Sequence, residues 1–306
     1  MKPPMNNYTM TGKTDGFGCQ LNAVYSAIAF CEHSPDYNYV HTPFKRVSHG
    51  WETPERIKQI NEFIGIPNRG GPEVEINTKQ AYGNKEVFND RRPSRWYDEK
   101  TLRKLRNWYW STPKPPPCEQ DIVIHVRRGD TNSPERLAMH EGRNPNDWDA
   151  KSRYDKNEFY NEKIPKILSM YPETHTIAIH TETHLGCKDD PMDEFISIMD
   201  GWPRSLKDRI TWKIAEEWTA DQKYNLLVAF HEMVTAKVFI QSRSGLSYVT
   251  GILNENEVWF SSAKGSAKGQ RYPLDHWRLL EGWGSQTPDG TIYSDFCKDL
   301  KEGKYN

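Results

Sequence analysis

The sequence has no Gly-x-x-x-x-Gly-Lys-Ser/Thr loop, which argues against a P-loop kinase or nucleotidase. It has no stretch of the ~18 apolar residues needed to cross a membrane, and no apolar signal region near Met1. Charge of one sign is also missing. With 41 Lys and Arg against 42 Asp and Glu, the net charge is −1. No general attraction to nucleic acid or to a membrane surface is expected, so any affinity for phosphate must be local. Cysteines are few: Cys19, Cys31, Cys118, Cys187 and Cys297. Their number is odd and their spacing fits no zinc pattern, so free thiols in a reducing compartment are expected. These absences predict a soluble, cytoplasmic chain with no membrane partner and no nucleic-acid partner.

Aromatic residues are plentiful, with 11 Trp and 15 Tyr. Most must fill cores and interfaces, and some could serve as platforms for sugar rings. The most informative segment is 121–130, Asp-Ile-Val-Ile-His-Val-Arg-Arg-Gly-Asp. Ile122, Val123, Ile124 and Val126 read as a buried strand of an α/β sheet. The run ends on His125, Arg127, Arg128 and Asp130. Two arginines at the end of a buried strand are costly unless something anionic meets them. Ligands of open α/β sheets bind beyond the carboxyl ends of the strands, and the guanidinium fork suits phosphate oxygens. A nucleotide diphosphate is therefore expected there. The plainer alternative pairs Arg128 with Asp130. A cell-adhesion role for Arg128-Gly129-Asp130 is disfavoured, because a strand end would bury it.

Residues 1–15 read as a polar lead-in. Helices are predicted from Gly16 to about Cys31, over 54–64, 98–110, 156–170, 191–199, 220–236, 244–253 and 274–283. Strands are predicted at 37–40, 121–128, 174–180, 209–214, 237–241 and 258–261. Segments 67–95 and 131–153 read as loops. Alternation of strand and helix in the second half signals a parallel sheet covered by helices. Residues 111–117 hold four prolines in seven positions, the best linker in the chain. The boundaries drawn are 1–115, 116–262 and a tail, 263–306, packing back on the domains.

Two further motifs flank the central one. Gly16-Phe17-Gly18-Cys19-Gln20-Leu21-Asn22 opens a helix, where glycines admit a ligand to the backbone and free amides attract anions. A tight turn is the plainer reading. Gln241-Ser242-Arg243-Ser244-Gly245-Leu246-Ser247 joins a strand to a helix, where hydroxyls and amides could hold a diphosphate. An ordinary serine N-cap is the plainer reading.

The order of the three motifs resembles the fucosyltransferase-like glycosyltransferases, and most of all their α1,6- and protein O-fucosyltransferase group. That group carries a Gly-rich first loop, a His-x-Arg-Arg-(Gly/Thr)-Asp strand end and a late serine-rich junction. The likeness spans roughly residues 14–255. Tyr39-Val-His-Thr-Pro-Phe44 adds a similarity to soluble glycosyltransferases of large algal (chlorella) viruses.

The resemblance implies a GT-B fold, with two Rossmann-like domains facing a cleft. The second domain would hold the nucleotide sugar and the first would help bind the acceptor. It implies inverting, metal-independent transfer to a hydroxyl of an oligosaccharide or glycoprotein, a viral capsid N-glycan among the candidates. In agreement, no Asp-x-Asp stands at a predicted strand end, and Asp189-Asp190 reads as solvated loop. Arg127 matches the arginine that contacts the diphosphate. The donor-site set is Gly16, Phe17, Gly18, Cys19, His125, Arg127, Arg128, Thr181, Glu182, Ser242, Arg243, Ser244 and Gly245. Thr183 belongs to the same strand end as Thr181 and Glu182. Glu135, eight positions after Arg127, matches the group's base, with Asp130 as the runner-up; a solvated loop carboxylate is the plainer reading of Glu135.

One departure bears on the donor. The aspartate with which GDP-fucose enzymes of this group bind guanine falls here on Ala229, and Asp221 lies two turns upstream. Alanine cannot accept those bonds, so a UDP-sugar such as UDP-xylose stands level with GDP-fucose. A non-catalytic glycan- or nucleotide-binding module is the competing class.

Overall fold

The computed structural model describes residues 6–10, 15–48, 53–67, 84–88, 90, 93–128, 157–182, 198–215, 226–260 and 274–279. These residues form an α/β protein built on parallel sheets. A first unit pairs β1 (Asn6–Tyr8) with β2 (Tyr37–Tyr39), in parallel, through helix α1 (Phe17–His33). The polar run Asn6-Asn7-Tyr8 was expected to be an unstructured lead-in. It is a strand because β2 supplies pairing partners, a tertiary effect that no apolar pattern announces.

Helix α2 (Pro54–Ile64) begins on the Thr53 cap, whose hydroxyl accepts from Arg56 N at 3.3 Å. It stops at Gly65, whose φ of 68° is left-handed. A Cβ on Gly65 would also lie 2.0 Å from the Trp108 carbonyl oxygen, so neither the backbone nor the space admits a larger residue. A short helix, α3 (Lys85–Phe88), and α4 (Glu99–Trp110) complete the described part of the first 110 residues. Asp98 caps α4 by accepting from Thr101 N at 2.8 Å.

Segment 111–117 has no regular structure, as its prolines predict. It is nevertheless pinned. Lys114 Nζ donates to Phe63 O at 2.8 Å and lies 4.4 Å from the Tyr109 ring centre. Withdrawal from water pushes this lysine down to about 8.

The main sheet has six parallel strands: β3 (Ile122–His125), β4 (Ile177–Glu182), β5 (Ile210–Ala215), β6 (Val238–Ile240), β7 (Glu257–Phe260) and β8 (Arg278–Leu279). Their spatial order is β5-β4-β3-β6-β7-β8. Counted within the sheet this is 3-2-1-4-5-6, the order of a doubly wound Rossmann sheet. The order in which strands are added reverses between β3 and β6, so a crevice is expected beyond their carboxyl ends. Segment 274–283 was expected to be helical. Instead β8 pairs with β7, setting Trp259 beside Arg278. Arg278 Nε donates to Glu257 at 2.8 Å, and its guanidinium lies 5.4 Å from the Trp259 ring centre. These cross-strand contacts outweigh the local helical preference.

Strand parity divides the core. Ile122, Ile124, Ile177, Ile179, Val238 and Ile240 face α5 (Asn157–Leu168) and a short helix, α6 (Arg204–Lys207). Val123, Ala178, Phe239, Val258 and Phe260 face the other way, toward α7 (Leu226–Thr235) and α8 (Gly245–Leu253). This second cluster runs on without a break into α1, α2 and α4, so residues on both sides of the proline segment share one core.

On that same face, register places His125, His180 and Lys213 side by side on β3, β4 and β5. Glu232 of α7 meets two of them, at 2.6 Å from His180 Nε2 and 2.6 Å from Lys213 Nζ. All three partners are buried. Hydrogen bonds from His180 and Lys213 outweigh the burial that opposes ionisation, and hold the Glu232 carboxyl below its usual range. Replacing Glu232 with alanine removes the acceptor both share and is expected to cost about 3–5 kcal/mol. Urea unfolding followed by circular dichroism measures it; a cost below about 1 kcal/mol would mean the cluster contributes little.

Candidate functional site

The two adjacent arginines of the central motif diverge at the end of β3. Continued alternation sends Arg127 to the α8 side and Arg128 to the α5 side. Arg128 is fully buried. Its Nη2 donates to Asn157 Oδ1 at 2.7 Å, its Nη1 to Arg127 O at 3.0 Å, and its guanidinium lies 5.3 Å from the Tyr160 ring centre. Arg128 therefore braces α5 against the strand end. Arg127 is half-buried and donates from Nη1 to Arg243 O at 3.4 Å, which joins the ends of β3 and β6 across the switch point.

His125 serves as a tether. Its Nδ1 pairs with Ser247 Oγ and, at 3.1 Å, with Ser242 Oγ. Ser247 Oγ also accepts from Ser242 N at 3.2 Å. This buried triangle fixes the turn from β6 into α8. Burial, helped by nearby His180 and Arg127, pushes His125 down to about 3, so its ring is neutral at pH 7. Ser244 caps α8, its hydroxyl accepting from Leu246 N at 3.1 Å. The hydroxyls of Ser242 and Ser244 thus build the junction. Beside the junction stand the positive dipole end of α8 and the guanidinium groups of Arg127 and Arg243.

The first motif arrives at the same place. Gly16 precedes α1, and its carbonyl accepts from Cys19 N at 3.0 Å and Gln20 N at 3.2 Å. Phe17 is buried between Phe44 and Phe230, with ring centres 6.2 and 5.4 Å away. A Cβ on Gly18 would lie 2.2 Å from Leu246 N and 2.7 Å from Gly245 C. Gly18 is thus a glycine because the first turns of α1 and α8 touch backbone to backbone. Expected to admit a ligand, it admits a second helix. The outcome is two helix N-termini side by side near the ends of β3 and β6, with their positive dipole ends together.

Other expected residues lie elsewhere or outside view. Thr181 is buried on β4, on the α5 side of the sheet, two strand positions beyond Ile179, and its hydroxyl has no hydrogen-bond partner among the described residues. Glu182 is the last residue of β4. Cys19, on the first turn of α1, is a free thiol, as are Cys31 and Cys118. Asp130, Glu135, Thr183, Asp221, Cys187, Cys297 and the Asp189-Asp190 pair lie outside the described residues. Ala229 lies on α7, packed against the core. Among the described residues, no group of three or more His, Cys, Asp or Glu side chains could hold a metal ion, and no helix is long and apolar enough to cross a membrane.

Sequence reasoning did not single out Ser247, Asn157, Tyr160 or the cluster of His180, Lys213 and Glu232. Ser247 lies at i+3 from the Ser244 cap, a spacing that places it on the same helix face. No local signal marks the others. None of the protein-family models and none of the curated proteins compared with the chain matches it.

Two predictions follow from this geometry. Gly18→Ala forces α1 and α8 apart and is expected to destabilise the protein by about 1–3 kcal/mol, measurable as a lowered urea midpoint. The second concerns acid. Burial pushes His125 down to about 3 and His41 and His231 to about 4, so all three stay neutral in the folded protein. Below pH 6.5 the unfolded chain binds protons at these positions and the folded chain does not. Stability should therefore fall as pH drops from about 6.5 to about 4, by up to about 1.4 kcal/mol per pH unit for each ring. Unfolding curves at pH 7, 6 and 5 test this; a flat profile contradicts it.

Proposed function

We propose that the chain is an inverting, metal-independent glycosyltransferase of GT-B type, moving a sugar from UDP-xylose or GDP-fucose to a hydroxyl of a glycan acceptor. The observation that carries this reading is the meeting of Arg127, Arg243 and the N-termini of α1 and α8 at the switch point of a 3-2-1-4-5-6 sheet. That is where such a sheet receives a nucleotide, and the local chemistry is that of a diphosphate site.

In the reaction, the acceptor hydroxyl oxygen attacks the anomeric carbon as the bond to the diphosphate oxygen breaks on the opposite face. Arg127 and the two helix ends take up the charge that develops on the departing diphosphate. The acceptor proton passes to Glu135, with Asp130 as the runner-up for the same role, following the family resemblance. Arg128, His125 and the Ser242–Ser247 pair position this apparatus and hold it rigid. In the GT-B reading, residues 1–115 form the acceptor-side domain; the β1-α1-β2 unit supports it as one Rossmann-type turn of chain. Ala229 offers no acceptor for guanine, which favours a uracil donor as much as a guanine one.

Calorimetric titration with GDP, UDP, GDP-fucose and UDP-xylose, with EDTA present, tests the reading. A nucleoside diphosphate is expected to bind, and Arg127→Ala to weaken it by about 10- to 100-fold through loss of a charged hydrogen bond. Selective UDP binding would mark the donor as a UDP-sugar. Binding of neither nucleotide overturns the proposal. Binding without transfer to any acceptor assigns the non-catalytic class.

A further inference from the structure

Helix α8 is held at both ends by residues that precede the proline segment. At its start, the backbone around Leu246 touches α1 at Gly18. At its far end, Arg106 of α4 donates from Nη2 to Ile252 O at 3.5 Å and to Asn254 O at 3.1 Å. These carbonyls are among the last of the helix, which lack intrahelical partners and favour a cation. The ties run along α7 as well. The Tyr109 hydroxyl of α4 pairs with His231 Nδ1 at 2.7 Å, and both residues are buried. Phe230, fully buried on α7, receives Phe17 from α1, Phe63 from α2 and Tyr109 from α4, with ring centres 5.4, 5.5 and 5.8 Å away.

The proline segment is itself anchored at each end. Lys114 and Thr112 both donate to Phe63 O, at 2.8 and 3.3 Å, next to the last residue of α2. Cys118 N donates at 3.0 Å to the hydroxyl of Thr235, the last residue of α7. Between these anchors stand Pro115, Pro116 and Pro117, whose rings fix their φ angles. A hinge must absorb large changes in φ and ψ, and this segment has little freedom to give.

Parts of a chain that move against each other usually meet through small, rather polar interfaces. Here the interface is a buried ring cluster with buried hydrogen bonds. Swinging α1, α2 and α4 away from the sheet would bring the Phe230 cluster into water and part Tyr109 from His231. Closing further is blocked too, because not even a Cβ fits between the first turns of α1 and α8. We propose that segment 111–118 is a fixed brace, that α1, α2 and α4 move as one body with the sheet, and that a nucleotide enters a site already assembled. The functional role of the brace rests on the nucleotide reading above. Many transferring enzymes complete their sites by closing around the ligand. This one would instead meet the diphosphate with its helix ends already in position, at no cost of rearrangement.

Double electron–electron resonance on the full chain tests the proposal. Nitroxides are attached through a keto-bearing amino acid, which spares the native cysteines, at Lys58 on α2 and Arg204 on α6. Both side chains are exposed, at 77% and 94%. A second pair, Lys58 and Arg103 of α4, lies wholly before the proline segment and supplies a reference width. The Lys58–Arg204 distances are expected to form one population as narrow as the reference. They are expected to shift by less than about 2 Å when UDP or GDP is saturating. Two populations, a distribution broader than the reference, or a larger shift with nucleotide overturns the proposal. Calorimetry on the same labelled protein reports whether a nucleotide is bound. The distances in the nucleotide-free chain decide the matter even if neither nucleotide binds, so failure of the transferase reading is told apart from failure of the brace.

Discussion

The backbone contact between Gly18 and the first turn of α8 is the constraint on which the rest of the molecule depends. Helices usually keep their axes apart by the bulk of their side chains. Removing one side chain lets the two N-termini come together, and three results follow from that single approach. The described part of the first 110 residues and the sheet share one apolar core. Two dipole ends of the same sign are pressed close, an arrangement that is unfavourable unless it faces an anion. Phe17 is carried between Phe44 and Phe230, linking the segment after β2 to α7.

The polar groups of the interior fall into two kinds. At the strand ends, Arg127 and Arg243 keep positive charge near the switch point. Deeper in, charge is either cancelled or avoided: Glu232 meets Lys213 and His180, and His125 is held neutral against two serines. Neutral imidazole beside Arg127 adds no second cation behind the guanidinium. The strand end therefore gains rigidity from His125 without the repulsion that a protonated ring would bring.

Much of this was legible in the sequence. The run Ile122–Val126 and the strand–helix alternation announce a parallel sheet, and parts of the three motifs touch at the ends of β3 and β6. Strand parity, applied one step past Val126, also separates Arg127 from Arg128, since neighbouring side chains face opposite sides. Other features were not legible, for identifiable reasons. Strands β1 and β8 are two or three residues long and exist through pairing with distant segments, so their local composition is uninformative. Gly18 was seen as a glycine that something must approach, but its partner lies more than two hundred positions away. The meeting of Glu232 with Lys213 depends on register between separate elements, which a single sequence does not encode locally.

The position of Trp277 has a consequence for synthesis. This residue follows β7 in the chain and is buried, with Phe260 5.7 Å and Tyr248 5.4 Å from its ring. A nascent chain emerging from the ribosome can form β3 to β7 before Trp277 is available. During that interval the outer edge of β7 and the apolar ground around Tyr248 stand uncovered. Such surfaces attract chaperones or each other. The segment made after β7 is thus what shields it, and a ribosome that stalls before that segment emerges would leave the sheet open to aggregation.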